Sequence, residues 1–137
     1  MNVGDNSAIV LLGNGDGTFR PQATYAVGSS PFAAAVGDFN GDGNLDFATA
    51  NEFSNTVISD FNRDGYLDIV AVNQRDSTVS VLYGIGSGSF QTQSVFAVGT
   101  NPRGVAVGDF NGDGAPDIVT ANPNVNTVSV LLGTCGV

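Results

Sequence analysis

The sequence has no histidine and no lysine, and only one glutamate, one methionine and one cysteine. Without histidine there is no Ser-His-Asp or Cys-His catalytic machinery and no His-ligated zinc site. The single cysteine, Cys135, excludes an intrachain disulfide framework and any metal site built from several thiolates. The shortage of Glu, Met and Lys deprives the chain of strong helix formers. Long apolar runs are also missing. The longest, such as residues 8–12, are five residues, against about 20 for a membrane span. No signal peptide is visible at the start, MNVGDNSAIVLLG, which lacks a basic region and a long apolar stretch.

What remains suits one small globular domain: 137 residues, 42% of them hydrophobic. Charge is sparse and one-sided, with four Arg against twelve Asp and a net charge of −9. That balance disfavours nucleic acid and membrane insertion or anionic membrane surfaces. Val, Ile, Thr and Phe are abundant, which favours strands.

The chain repeats itself. AVGDFNGDG at 35–43 recurs unchanged at 106–114, and TYAVGSSP at 24–31 matches VFAVGTNP at 95–102. LLGNGDGTF at 11–19 matches LYGIGSGSF at 82–90, all three pairs at a shift of 71. A second shift, 49, relates Asp60 to Asp109 and Gly84 to Gly133. The unit is therefore 49 residues, and 71 is that plus the 22 separating Asp38 from Asp60, so one unit has lost 27. Each full unit reads as four short strands, like residues 104–110, 117–122, 127–132 and 90–98 in turn, with glycine-rich hairpin turns between third and fourth. The expected organisation is an incomplete blade at 1–30, a truncated unit at 31–54, a full unit at 55–99 and an incomplete last unit at 100–137. Residues 55–57 look like the start of a third strand yet run into Asp60, which ends a first strand. No helix longer than one turn is expected.

Between first and second strands lie three nine-residue loops reading D-x-N-x-D-G-x-x-D, at 38–46, 60–68 and 109–117, and they hold nine of the twelve Asp. Carboxylates crowded into one tight loop repel each other unless a cation neutralises them. A ligand set of oxygens alone selects a hard cation, and calcium tolerates an irregular loop better than magnesium does. Positions one, three and five supply side-chain oxygens: Asp38, Asn40 and Asp42; Asp60, Asn62 and Asp64; Asp109, Asn111 and Asp113. Position six is the Gly of a sharp turn. Position seven (Asn44, Tyr66, Ala115) has only a backbone carbonyl in common, and position nine closes the site with Asp46, Asp68 or Asp117. Up to three Ca²⁺ ions are expected. The competing reading is of Asn/Asp/Gly turns that need no ion. Phe39, Phe61 and Phe110 are expected in the core, and position eight (Leu45, Leu67, Pro116) is expected to tuck inward. Asp16 reads as a turn residue.

VAVGDFNGDGAPDIVTAN at 105–122, supported by LLGNGDGTF, resembles the FG-GAP/VCBS repeat family, the calcium-binding β-propeller repeats of integrin α-chain heads and many secreted proteins. The resemblance implies an all-β partial propeller of antiparallel four-stranded blades, about three units with one truncated. It also implies calcium at the fifteen loop positions named above, an extracellular or cell-surface setting, and adhesion through a protein or glycan partner.

Four readings of function follow. The first is a non-catalytic calcium-binding interaction module. An enzyme is disfavoured, because the acids outside the loops, Asp5, Asp16, Glu52 and Asp76, have no recurring partner. A lectin would use Tyr25, Phe53, Tyr66 or Tyr83 against sugars, although aromatics in β proteins more often pack. The chain also reads as a fragment of a larger secreted propeller. About four blades are needed to close a ring, so open blade edges are expected. A fourth strand around residues 19–27 of one chain would complete the last unit of another, giving a head-to-tail homodimer.

Overall fold

The computed structural model describes residues 7–27, 33–50 and 56–134. In chain order the strands are β1 (Ser7–Leu11), β2 (Ala23–Ala26), β3 (Ala33–Gly37), β4 (Asp46–Ala50), β5 (Thr56–Ser59), β6 (Asp68–Asn73), β7 (Thr78–Leu82), β8 (Ser94–Ala97), β9 (Gly104–Gly108), β10 (Asp117–Asn122) and β11 (Thr127–Leu131). Among the described residues the only helical feature is a 3-10 turn at Pro123–Val125. The fold is all-β, as the composition and alternation predict.

The strands form three antiparallel sheets. The second sheet runs β5-β6-β7-β8, in sequence order, and the third runs β9-β10-β11. The first sheet runs β2-β1-β4-β3, so its chain order differs from its spatial order. Here β1 pairs with β4 in the register Ala8↔Ala50, Ile9↔Thr49, Val10↔Ala48 and Leu11↔Phe47. The N-terminal piece thus supplies the third and fourth strands that the truncated unit lacks, and two incomplete units make one four-stranded sheet. Consequently β2 is already engaged within its own chain.

The fused segment resolves the same way. Residues Thr56–Ser59 act as a first strand, with Ser59 opposite Asp68. Gly37 stands opposite Asp46 and Gly108 opposite Asp117 in the same manner. The shared nine-residue loop fixes this register, and register decides which face each side chain takes. Asn55 lies outside the described residues.

The first strands β3, β5 and β9 lie side by side, and the sheets pack face to face. Between the first and second sheets, Ala8, Val10, Phe39 and Ala48 meet Ile69, Leu82 and Phe90. Between the second and third, Val70, Val72, Val79 and Val81 meet Ile118, with Phe61, Val105 and Leu131 at the margin. Strand β6 is buried along its whole length, as expected for a strand covered on both faces.

The position-two Phe packs only where another described sheet follows its own, and this corrects one expectation. Phe39 is 2% exposed, but Phe110 is 54% exposed, because no described sheet follows the third. Position eight packs toward the preceding sheet. Leu67 is packed against the first core and lies beside Gly37, whereas Leu45, with no described sheet before it, is 70% exposed rather than tucked inward.

Candidate metal centre

All three nine-residue loops close on themselves, and the bonds from position six to one, five to three, three to five and seven to five recur in each. At position one, Asp38 Oδ1 accepts from the N–H groups of Gly41 (2.7 Å) and Asp42 (3.2 Å), and Oδ2 accepts from Gly43 (2.8 Å). Asp109 accepts from Gly112 (2.6 Å) and Gly114 (2.8 Å). Asp60 accepts from Asp64 (3.1 Å) and Gly65 (2.9 Å). The N–H of position five donates to the position-three carboxamide oxygen: Asp42 to Asn40 at 3.0 Å, Asp64 to Asn62 at 3.1 Å and Asp113 to Asn111 at 3.0 Å. The amide of position three donates back to the carboxylate of position five at 2.9, 2.8 and 2.9 Å in the three loops. Positions one, three and five are therefore gathered as the spacing predicts. Position seven takes part through its N–H: Asn44, Tyr66 and Ala115 donate to position five at 2.8, 2.9 and 2.7 Å. Position six adopts positive φ in every loop (83° at Gly43, 89° at Gly65, 80° at Gly114), which accounts for the recurring glycine.

Position nine does something the spacing does not reveal. Asp46, Asp68 and Asp117 are fully buried, and each carboxylate bridges two chain segments. One oxygen accepts from the N–H of position two: Phe39 to Asp46 at 2.9 Å, Phe61 to Asp68 at 2.7 Å, Phe110 to Asp117 at 2.8 Å. The other accepts from a glycine that follows a third strand: Gly13 at 2.8 Å, Gly84 at 2.9 Å, Gly133 at 2.8 Å. A Cβ at any of these glycines would collide with the carbonyl of Leu45, Leu67 or Pro116. The acid is a latch between the loop and the third strand, and its glycine partner was readable only as a residue recurring at shifts of 71 and 49.

Electrostatics separate the acids. The N–H of Asn44 and then the Asn40 amide hold the Asp42 carboxyl below the usual aspartate range. Asp113 is lowered in the same way by Ala115 and Asn111, with the Arg63 charge adding to it. Burial pushes Asp68 up, opposed by the Gly84 and Phe61 N–H groups and reinforced by the charge of Asp64. Two arginines that the spacing did not single out stand near the loops. Arg20 reaches Asp42 at 3.4 Å, and Arg63 occupies position four of the middle loop at φ 62°, where the other loops have Gly41 and Gly112.

The donor set is all oxygen, and those at positions one, three and five belong to one turn. Among the described residues, no group of three acidic side chains is brought together as a metal-binding cluster, because position nine faces its backbone donors. Each of its oxygens keeps a second lone pair, so the chemistry fits a hard cation once position nine turns part of its carboxylate to the loop. The aromatic candidates do not gather. Tyr66 is exposed, Tyr25 packs edge-on against Phe90 with ring centres 5.3 Å apart, Tyr83 is half-buried, and Phe53 lies outside the described residues. Asp16 caps its own turn through Thr18, as a turn residue should.

Neither a curated protein nor a solved structure matches this chain. A family model does: the FG-GAP-like repeat matches residues 2–49 and 60–120. The gap between the two matched stretches contains the point where the truncated unit runs into the next first strand. Matched over most of its length by that model, the chain, whose described residues form three antiparallel sheets, belongs to the FG-GAP-like repeat family.

Proposed function

We propose that this chain is a calcium-binding, non-catalytic interaction module of an extracellular or cell-surface protein, and that its partner is a protein or a glycan. FG-GAP repeats are the repeat modules of integrin-like propellers, which supports the interaction role. The observation that carries the calcium reading is the triplicated turn. Three loops hold Asp, Asn and Asp oxygens at positions one, three and five by the same N–H contacts, in a chain of net charge −9. Asp38, Asn40, Asp42 and Asp46 would hold one ion, with the Asn44 carbonyl. Asp60, Asn62, Asp64, Asp68 and the Tyr66 carbonyl would hold the second, and Asp109, Asn111, Asp113, Asp117 and the Ala115 carbonyl the third. Bound calcium would supply charge neutralisation and loop rigidity. Three ions would move the net charge from −9 to about −3.

Melting in excess calcium and in chelator tests this. Extracellular modules bind at about 10⁻⁴–10⁻³ M. At free calcium about twentyfold above the dissociation constant, each site contributes roughly 1.8 kcal/mol by mass action. A rise in melting midpoint with calcium, saturating on titration, supports the reading. An unchanged midpoint removes it.

A further inference from the structure

Asparagine is followed by glycine at three places in the chain, Asn14-Gly15, Asn40-Gly41 and Asn111-Gly112. Glycine leaves the peptide nitrogen uncrowded by a Cβ, so that nitrogen can attack the preceding carboxamide carbon. Two of the pairs fill positions three and four of the first and last acidic loops. The other lies in the turn between β1 and β2. In the middle loop position four is Arg63, and Asn62 has no glycine after it.

The acidic loops hold the reacting groups together. Asn40 Oδ1 accepts the N–H of Asp42 at 3.0 Å, and Asn111 Oδ1 accepts that of Asp113 at 3.0 Å. The small ring closed by each bond contains both the carboxamide carbon and the nitrogen of Gly41 or Gly112, so the side chain is folded back over the peptide that attacks it. The same N–H polarises the carbonyl and stabilises the oxyanion formed on attack. The attacking N–H is paired with a carboxylate: Gly41 donates to Asp38 Oδ1 at 2.7 Å, and Gly112 to Asp109 Oδ1 at 2.6 Å. An acceptor within hydrogen-bond reach of the proton to be removed meets the geometric requirement for a general base. Gly41 and Gly112 are exposed, so water reaches both peptides. Asn14 is exposed too, but its amide donates to Thr18 Oγ1 at 2.9 Å, and the Asp16 carboxylate of that turn accepts from Thr18.

We propose that Asn40 and Asn111 are sites of self-catalysed deamidation, built by the acidic loops in which they lie. The Gly41 nitrogen bonds to Cγ of Asn40, and its proton passes to Asp38 Oδ1. The Cγ–Nδ2 bond breaks, the proton returns through water to the leaving nitrogen, and ammonia departs. Water then opens the succinimide, at Cγ to give aspartate or at the backbone carbonyl to give isoaspartate. Gly112, Asn111 and Asp109 act in the same way. Each event replaces a neutral amide by a carboxylate, so two events take the net charge from −9 to −11. The lost amide is also the donor to the position-five carboxylate, at 2.9 Å in both loops, so each modified loop loses a tie. Asn62 is held by the same two bonds, at 3.1 and 2.8 Å. There the Cβ of Arg63 crowds the attacking nitrogen, and the middle loop is spared.

The test is incubation of the intact chain at neutral pH in chelator, with peptide mass spectrometry reading ammonia loss and isoaspartate at each asparagine. Asn40 and Asn111 should convert about tenfold or more faster than Asn14, with Asn62 unchanged. Two variants, each checked for the wild-type circular dichroism spectrum, separate the parts of the site. Asp38→Asn keeps the size of the side chain and removes the base. It should slow conversion of Asn40 about tenfold while Asn111 in the same molecule keeps its rate. Arg63→Gly removes the crowding Cβ and should bring Asn62 to a rate comparable with that of Asn111. Conversion of Asn40 and Asn111 no faster than that of Asn14 would overturn the proposal. So would an undiminished rate at Asn40 in folded Asp38→Asn, or an unchanged Asn62 in Arg63→Gly.

Discussion

The second and third sheets present nearly the same strands in the same register to different surroundings. Val79 and Val81 of β7 correspond to Val128 and Val130 of β11, and Val70 of β6 corresponds to Val119 of β10. In the second sheet these valines form the core against the third. In the third sheet the same face meets no described sheet: Val79 is 0% exposed and Val128 is 66% exposed. Burial here is a property of the neighbour, not of the residue. Apolar content that looks like core in the sequence becomes core only where the next sheet arrives.

The largest expected effect follows directly. Val79→Asp buries an unpaired charge between two sheets and should cost more than about 4 kcal/mol, enough to unfold a small domain. Val128→Asp, at the equivalent place on the open face, should change stability by no more than about 0.5 kcal/mol. Urea melts of both variants check the contrast. A large, concentration-dependent loss at Val128 would break it in an informative way, because it would show that a second copy covers this face. Such a face-to-face dimer differs from the head-to-tail homodimer expected from residues 19–27, whose strand β2 already pairs with β1 in its own chain.

The buried latches offer a smaller and more local version of the same comparison. Removing the carboxylate in Asp68→Ala leaves the Phe61 and Gly84 N–H groups without their acceptor, and the Gly84 contact is wholly buried. In Asp117→Ala the orphaned groups belong to Phe110 and Gly133, which are closer to solvent. An unsatisfied buried donor costs about 1–3 kcal/mol, so Asp68→Ala should lose roughly 2–4 kcal/mol and Asp117→Ala about half of that. Measuring both in chelator separates the latch from any role in holding calcium. Equal losses would mean that the third sheet is as well covered as the second.

How much of this was legible beforehand depended on whether the governing contact was local. Apart from the fused segment that becomes β5, the strands of the second and third sheets, the loop boundaries and the Asp-Asn-Asp turn were readable, because alternation and spacing fix them within one hairpin. The completion of the truncated unit was not readable. Nothing in residues 7–11 states that they pair with 46–50 rather than with another strand, since β1 would suit the edge of any second strand in the chain. The dual nature of the acidic loop was also hidden. Positions one, five and nine carry the same side chain, yet Asp46, Asp68 and Asp117 are buried against backbone donors from a distant glycine while Asp42, Asp64 and Asp113 face solvent. Spacing gave the residues, and only the fold could assign their partners. Likewise Phe110 and Leu45 are exposed because they meet no other described sheet, and a repeat read one unit at a time does not show which neighbour each face meets.

The smallest expected effect concerns the single place where the middle loop breaks its own rule. Position four is Gly41 in the first loop and Gly112 in the third, both at positive φ, and Arg63 adopts the same conformation at 62°. A left-handed backbone costs a residue with a Cβ about 1–2 kcal/mol. Glycine at the same place loses about 0.5–1 kcal/mol more chain entropy on folding. Arg63→Gly should therefore stabilise the chain by about 0.5 kcal/mol, read as a small upward shift in the urea midpoint in chelator. Charge gives the variant a second readout. The guanidinium reaches toward Gly114 and helps hold Asp113 below the usual aspartate range. Its removal should tighten calcium binding at the 109–117 loop, because a cation no longer competes there, while leaving Asp42, which answers to Arg20, unchanged. Arg63 makes further contacts in the structure, so a fall in stability would mean that those contacts outweigh the backbone strain. The middle loop would then hold its arginine as a tie to the third sheet, and the two sheets would be joined at the loops as well as through the valines.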